Sequence, residues 1–232
     1  MSKIIAAFLL LTAFAAGLCA QNNCAKSNKK LCCKAKSFAN CSTNGCGADV
    51  LLSAAKNRTD TPDSAQIQKK TIIQIANFTH PASWAPNTPR QKLIEWGEGT
   101  PLQVTLYLKR VKNYPDGLEA CNCNLKGDRN NDYHLVLTNK PSSPETSSLT
   151  AEITPRIRPD KWTFERLDKL RKQKAYVRVT GWAMLDTHHV GTNIPKRKTH
   201  WEIHPVTKFE VCTTTKPQCD VGTGWVKLEE MP

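Results

Sequence analysis

The stretch WTFERLDKLRKQKAYVRVTGWAMLD, residues 162–186, joins two different patterns of apolar residues. In its first half, Phe164, Leu167 and Leu170 recur at the spacing of one helical face, and basic residues occupy the opposite face. In its second half, residues 174–186, apolar and polar residues alternate as they do in a half-buried strand. The stretch therefore predicts a short amphipathic helix that leads directly into a long strand.

Four further strand patterns flank this stretch. Three precede it, at residues 103–112, 132–137 and 148–154, and one follows it, at residues 200–212. Segments that contain the turn-forming residues Pro, Asp, Asn and Gly separate them. The predicted order of elements is strand, strand, strand, helix, strand, strand.

This order is typical of the OB-fold, a five-stranded Greek-key barrel with its helix between the third and fourth strands. The sequence therefore predicts a mainly β protein with a β-β-β-α-β-β barrel in residues 97–232. Residues 21–96 are predicted to form a cysteine-rich, partly helical arm in front of the barrel, with one short helix at residues 49–58. The apolar segment 71–78 fits either a strand or a helix. Another α+β domain with the same order of elements is the alternative.

The first 20 residues have the three parts of a secretory signal peptide. Lys3 is followed by an uncharged apolar run and then by small and polar residues. The run is shorter than the about 20 residues that cross a bilayer as a helix. Cleavage after Ala20 is predicted, which makes the protein secreted or periplasmic. Lipidation of Cys19 is the alternative, disfavoured because Leu18 stands where a small residue is needed. No later segment is apolar enough to span a membrane.

The cleaved chain is basic and rich in cysteine. Loss of residues 1–20 removes one of the 33 basic residues and one of the 10 cysteines but none of the 20 acidic residues, which leaves a net charge of +12 and nine cysteines. In an exported protein this density predicts disulfides. Cys212 and Cys219 are expected to close a loop, and Cys121 and Cys123 are expected to pair elsewhere or to hold a metal together. Nine is odd, so one thiol is free, pairs with another chain or shares a metal.

Five segments of the barrel region have a distinctive combination of residues: CNC (121–123), NDYHLVL (131–137), AEITPR (151–156), VRVTGWAMLD (177–186) and HWEIHPVT (200–207). Together they resemble a group of uncharacterised bacterial exported proteins with an OB-like barrel. The resemblance covers about residues 99–212, implies a bacterial and exported setting, and implies no activity. The region also loosely resembles staphylococcal-nuclease-type barrels. The catalytic Asp, Glu and Arg positions of that family have no one-to-one match here, so its activity is not carried over.

Histidines and acidic residues of the predicted strands provide a candidate metal site. Because side chains alternate between the two faces of a strand, Glu202 and His204 share one face, and Asp132 and His134 share another. Imidazole and carboxylate groups are ligands of Zn²⁺ and related divalent metals. The candidate ligands, expected to meet at the barrel mouth, are Asp132, His134, Glu152, His188, Glu202 and His204. The alternative is a polar outer face, or a set of hydrogen-bonded histidines, that holds no metal.

Glu152 and Arg156 admit two interpretations. A partly buried Glu–Arg pair is favoured, because buried charges persist when they are paired. In the functional alternative, Glu152 is a general base and Arg156 holds an anion for phosphoryl chemistry.

Basic and aromatic residues indicate a second kind of site. Basic surfaces attract nucleic acid, anionic glycans and acidic lipid headgroups, and OB barrels stack bases or sugars on aromatic side chains. The candidate binding residues are Tyr133, Arg156, Lys196, Arg197, Lys198 and Trp201, with Trp182 as a further aromatic platform. In the alternative, the aromatic residues belong to the core and the lysines form a solvated surface.

Three functions follow from these features. The first is an exported, non-enzymatic protein that binds a polyanion or a cell-envelope partner. The second is a metal-dependent hydrolase, for example a nuclease, built on Asp132, His134, Glu152, Glu202 and His204. The third is a structural envelope protein that is cross-linked through its thiols. Convergence of the five side chains would favour the enzyme over the binding protein.

Overall fold

The structure is a computed structural model that describes residues 35–117, 119–191 and 196–232. The predicted signal peptide with its cleavage site lies outside the described residues, as do Cys24, Cys32 and Cys33. Within the described ranges, no helix combines the length and the apolar character needed to cross a membrane.

In the described residues, seven strands form one mixed sheet that closes on itself. The strands are β1 (Gln68–Lys69), β2 (Pro101–Lys112), β3 (Tyr133–Thr138), β4 (Leu149–Ile153), β5 (Tyr176–Leu185), β6 (Trp201–Cys212) and β7 (Trp225–Lys227). β2 pairs antiparallel with β3 and β5, β3 pairs antiparallel with β4, and β6 pairs parallel with β4 and antiparallel with β5. β2 to β6 thus close a five-stranded barrel, and β1 and β7 lie outside it. The predicted mainly β fold with an OB-like barrel is confirmed.

Five α-helices accompany the barrel in the described ranges: α1 (Val50–Lys56), α2 (Ile72–Ala76), α3 (Gln91–Glu95), α4 (Phe164–Lys172) and α5 (Lys216–Asp220). Six short 3₁₀ turns complete the structure: Phe38–Asn40, Ser64–Gln66, Ala120–Asn122, Asp128–Asn130, Glu145–Ser147 and Leu228–Glu230. α4 lies between β4 and β5, where the sequence predicts the helix of the barrel. α2 occupies the segment that fitted either a strand or a helix.

Local side-chain contacts explain where two of these helices begin. The Asp49 carboxylate accepts a hydrogen bond from the Leu52 backbone N–H at 2.9 Å, which caps α1. The Thr163 hydroxyl accepts one from the Arg166 backbone N–H at 3.3 Å, which caps α4. α4 then buries its apolar face, including Leu167, against the barrel.

The barrel interior is filled by alternate residues of each strand. Along β2 the buried residues are Leu102, Val104, Leu106 and Leu108, and the residues between them are partly exposed. Trp201 of β6 is fully buried and packs edge-to-face against Phe78. The segment in front of the barrel adds Ile72, Ile75 and Leu93 to the same core.

One glycine lets β5 and β6 approach closely beside the site described below. A Cβ atom on Gly181 would lie 2.3 Å from the Pro205 carbonyl oxygen and 2.7 Å from Ile203 Cγ2. The register of the two strands shifts on both sides of Gly181. A side chain at this position would therefore push β5 away from β6, the strand that carries Glu202 and His204.

Two disulfides lie wholly within the described residues. Cys212–Cys219 closes the predicted loop, and Cys41–Cys123 joins the arm to the barrel across 82 residues of chain. Cys46 is also disulfide-bonded. Cys121 carries a buried free thiol, so Cys121 and Cys123 do not pair with each other.

Candidate functional site

The acidic residues and histidines of three neighbouring strands meet on the outer face of the barrel wall. β3 and β4 place His134 directly opposite Glu152, and β6 continues the same face with Glu202 and His204. The alternate residues of these strands belong to the barrel core: Leu135, Ala151, Ile153 and Ile203. Because successive side chains point to opposite faces, the polar set points away from the core. The expected location at the barrel mouth is therefore wrong.

Two segments cover this outer face. α1 ends at Lys56, whose ammonium group reaches Glu152, and the turn Ala120–Asn122 supplies an amide to Asp132. As a result the Glu152 side chain is 4% exposed, and those of Glu202 and His204 are 0% exposed. A polar face of the barrel is thus as buried as its core.

Glu152 is the centre of the buried cluster. Its Oε1 atom lies 2.9 Å from His134 Nδ1, and its Oε2 atom lies 2.8 Å from His204 Nδ1 and 3.2 Å from Lys56 Nζ. The contact between His204 and Oε2 is close but lacks the alignment of a hydrogen bond. Three cationic groups therefore share one carboxylate.

His134 bridges two carboxylates. Its Nε2 atom lies 2.8 Å from Glu119 Oε1, while Nδ1 contacts Glu152. The other oxygen of Glu119 accepts hydrogen bonds from the Asn122 side chain and the Asp132 backbone N–H, both at 2.7 Å. With both ring nitrogens engaged by carboxylates, His134 does not serve as the metal ligand that the sequence suggested.

His204 is enclosed by groups on both sides of its ring. Nε2 lies 3.1 Å from the Lys56 carbonyl oxygen and 3.7 Å from Asp132 Oδ2. Nδ1 lies 3.6 Å from Glu202 Oε1, in addition to its contact with Glu152. Asp132, Glu152 and His204 each offer a ligand atom within 4.8 Å of the others, and all three are buried.

A second ion network adjoins the first. The Arg197 guanidinium lies 3.3 Å from Glu202 Oε2 and 2.5 Å from Asp186 Oδ2. The Asp186 carboxylate also contacts His189 Nδ1. His188 is exposed and does not join either network, so it is wrong as a member of the converging set.

The charges of the cluster determine the protonation of its cations. Burial alone would lower the pKa values of Lys56, His134 and His204. The charges of Glu152 and Glu202 instead hold the pKa of Lys56 well above its usual value, and those of Glu152 and Glu119 do the same for His134. Contacts with Glu152 raise the pKa of His204 to about 9. All three groups are cationic at neutral pH.

The pKa values of the buried carboxyl groups are shifted in opposite directions. Burial alone would raise the pKa of Glu152, but the charges of His134, Lys56 and His204 hold it well below the usual value. Burial and the charge of Glu119 raise the pKa of Asp132 to about 6. Burial, followed by the charge of Glu152, also raises the pKa of Glu202. Glu152 is therefore the one of these three carboxyl groups that is hardest to protonate.

A groove of about 500 Å³ opens beside the buried cluster. Its acidic lining residues are Glu119, Glu145, Glu152 and Asp186, and its basic ones are Lys56, Lys112, His134, His188, His189, Lys196 and Arg197. Asp132, Glu202 and His204 do not line it. Bound molecules would reach the buried cluster through His134 and Glu152.

The other sequence-derived binding residues have mixed outcomes. Trp201 is wrong as a stacking platform because it lies in the core. Tyr133 is 3% exposed and lies beneath the Arg158 guanidinium, so it is also wrong as a surface platform. Trp182, 8% exposed, lies beneath Arg58.

The basic candidates also separate into different roles. Arg156 donates hydrogen bonds to the Cys41 and Ser42 carbonyl oxygens at 2.9 and 2.7 Å, so it holds the arm and does not form the predicted pair with Glu152. Arg197 is committed to Asp186 and Glu202. Lys196 and Lys198 are exposed.

Two members of the cluster were missed by sequence reasoning. Lys56 lies 96 residues from Glu152 in the chain, at the end of a helix whose sequence has no sign of a site. Glu119 precedes the CNC segment and is 15 residues from His134. A search for acidic residues near the predicted strands could have found Glu119 but not Lys56.

Comparison with known proteins adds no family to this description. No protein-family model matches the chain, and a search of curated proteins found no significant match.

Proposed function

We propose that the protein is an exported binding protein whose groove takes a polyanion. Lys112 and Lys196 carry this proposal: both line the groove, and no carboxylate of the described residues lies within 4.0 Å of either ammonium group. Burial lowers the pKa of Lys112, and the charge of Glu145 opposes this shift. The nearby positive charges of Arg110, Lys196 and Arg197 lower the pKa further. Cations gathered in this way attract the phosphate or sulfate groups of a polymer.

Three features support export and a polyanionic partner. The N-terminal sequence has the pattern of a signal peptide. The disulfides Cys41–Cys123 and Cys212–Cys219 are typical of an oxidising compartment. The net charge of +12 that remains after loss of residues 1–20 adds long-range attraction for any polyanion.

Replacing Lys112 and Lys196 together by alanine is expected to weaken binding to single-stranded DNA and to heparin. Each lost contact with a single strand makes the slope of log K against log salt less steep by about 0.7. The slope of the double variant should therefore be less steep by about 1.4. Fluorescence titrations between roughly 50 and 200 mM salt would measure this slope.

The matched control is the Lys69→Ala/Lys161→Ala double variant. Both lysines are exposed, neither lines the groove, and the change in net charge is the same. Its salt slope should equal that of the unmodified protein. An equal decrease of the salt slope in the two double variants would reject the groove as a polyanion site. So would the absence of binding at low salt.

A metal-dependent hydrolase is the second candidate function. The acids and histidines suggested for it converge, but Asp132, Glu202 and His204 are buried and do not line the groove, so polyanion binding stays the first candidate. Asp132, Glu152 and His204 offer ligand atoms within 4.8 Å of one another. His134 contacts Glu152 and also lines the groove, which makes it the proton donor that a bound substrate would meet. A divalent metal in the cluster would act as a Lewis acid toward a phosphoryl group.

Hydrolysis of a phosphodiester such as single-stranded DNA is expected to stop with a chelator and to return with Zn²⁺ or Mn²⁺. His134→Asn should lower the rate by about 10²- to 10⁴-fold, the usual contribution of a general acid. The exposed His80, which lies outside the groove, provides the control variant His80→Asn. Inertness with every added metal would exclude the hydrolase and leave polyanion binding as the function.

A further inference from the structure

The ring of His204 is oriented as a metal-binding histidine usually is. Nε2 lies 3.1 Å from the Lys56 carbonyl oxygen, a distance at which an Nε2–H donates a hydrogen bond. Such a bond to a backbone carbonyl fixes the orientation of the ring, so a metal ion that displaces the proton of the cationic imidazole would meet the Nδ1 lone pair. Nδ1 faces Glu152 Oε2 at 2.8 Å and Glu202 Oε1 at 3.6 Å.

Each surrounding carboxylate uses one oxygen for an outer contact and directs the other toward His204. Asn122 donates to Asp132 Oδ1 at 3.0 Å, and Asp132 Oδ2 faces the Nε2 atom of His204 at 3.7 Å, whereas the two glutamates face Nδ1. His134 contacts Glu152 Oε1 at 2.9 Å, and Glu152 Oε2 faces His204. Arg197 donates to Glu202 Oε2 at 3.3 Å, and Glu202 Oε1 faces His204 Nδ1. Outer contacts of this kind orient the ligands of metal sites.

Two inward-facing atoms have no hydrogen-bond partner among the described residues: His204 Nδ1 and Glu202 Oε1. His204 is 1% exposed and Glu202 is 0% exposed, so bulk water does not satisfy them. Ligand atoms on a tetrahedral zinc ion at about 2.0–2.2 Å are separated by about 3.3–3.6 Å. The distance of 3.6 Å from His204 Nδ1 to Glu202 Oε1 falls within this range, and the distance of 2.8 Å to Glu152 Oε2 would widen by about 0.5 Å around the ion.

We propose that Glu152 Oε2, Glu202 Oε1 and His204 Nδ1 bind one divalent transition-metal ion, with Zn²⁺ as the ion best matched to mixed imidazole and carboxylate ligands. The inference does not depend on what the groove binds. Lys56 Nζ, 3.2 Å from Glu152 Oε2, is the competing cation of this site. An ammonium group and a metal ion repel each other, so Lys56 moves away from Glu152 when the metal binds.

Zinc binding by the full-length chain, stripped with a chelator, tests the proposal. Elemental analysis after gel filtration should find one zinc per chain. Glu202→Gln and His204→Asn should abolish this uptake, and the exposed His188→Asn should not change it. Lys56→Met should tighten zinc binding by about tenfold or more, because it removes the competing charge.

The Lys56→Met result separates a metal site from a purely structural ion network, which would gain no zinc affinity from this change. It also keeps the test decisive if His204→Asn fails to fold. Substoichiometric zinc in the unmodified protein, or uptake that survives Glu202→Gln, would overturn the proposal. So would uptake that disappears in Cys121→Ser, since it would place the ion on the buried thiol.

Discussion

Glu152→Gln is expected to lower the free energy of unfolding by about 3–5 kcal/mol, the usual cost of breaking a buried ion pair by removing one partner. The substitution keeps the shape of the side chain but removes the negative charge that Lys56, His134 and His204 share. These cations would then be buried without their main counter-charge. Urea denaturation in the presence of a chelator would measure the loss without a contribution from bound metal.

Glu95→Gln is the matched control. Glu95 also pairs with a lysine, Lys92, at 2.8 Å, but both side chains are more than half exposed. Exposed pairs contribute about 0–1 kcal/mol, so this variant should be close to the unmodified protein. Adding Lys56→Met to Glu152→Gln should cost less than the sum of the two single changes, because one of the unbalanced cations is then gone. A loss below about 1 kcal/mol for Glu152→Gln would contradict the shared role of this carboxylate.

The barrel was predictable because its signals are local. Leu102, Val104 and Leu106 alternate with polar residues within one strand, and Leu167 and Leu170 follow the helical spacing of α4. Such patterns depend only on residues a few positions apart. They therefore indicate the same element whatever other segment buries its apolar face. The order of the elements then restricts the topology to few alternatives.

The site was only partly predictable because alternation separates two faces without saying what covers them. Glu202 and His204 were correctly assigned to one face of β6, but that face is the outer one and is buried by α1. Trp201 lies on the opposite face, which is the core, and an aromatic ring in the core has the same sequence pattern as a surface platform. Arg156 was misassigned because its partners belong to the arm, which a disulfide brings to the barrel.

Replacement of both Cys41 and Cys123 by alanine is expected to lower the free energy of unfolding by about 4.5 kcal/mol. The disulfide closes a loop of 82 residues, and the entropy that a cross-link removes from the unfolded chain grows with loop length. The loop of Cys212–Cys219 spans 7 residues, so the same treatment of that pair should cost only about 2.4 kcal/mol. Both cysteines of a pair must be replaced together, because the buried thiol of Cys121 could otherwise capture the remaining partner.

The long-range disulfide should also affect the buried cluster, which the short one should not. Cys123 directly follows Asn122, whose amide holds both Asp132 and Glu119. Without the link to Cys41, hydrogen exchange at residues 119–123 and 132–134 should become faster relative to the rest of the barrel. Loss of Cys212–Cys219 should instead affect only residues near the C-terminal loop. Equal exchange patterns in the two double variants would mean that the disulfide supports the fold as a whole but does not hold the cover of the cluster in place.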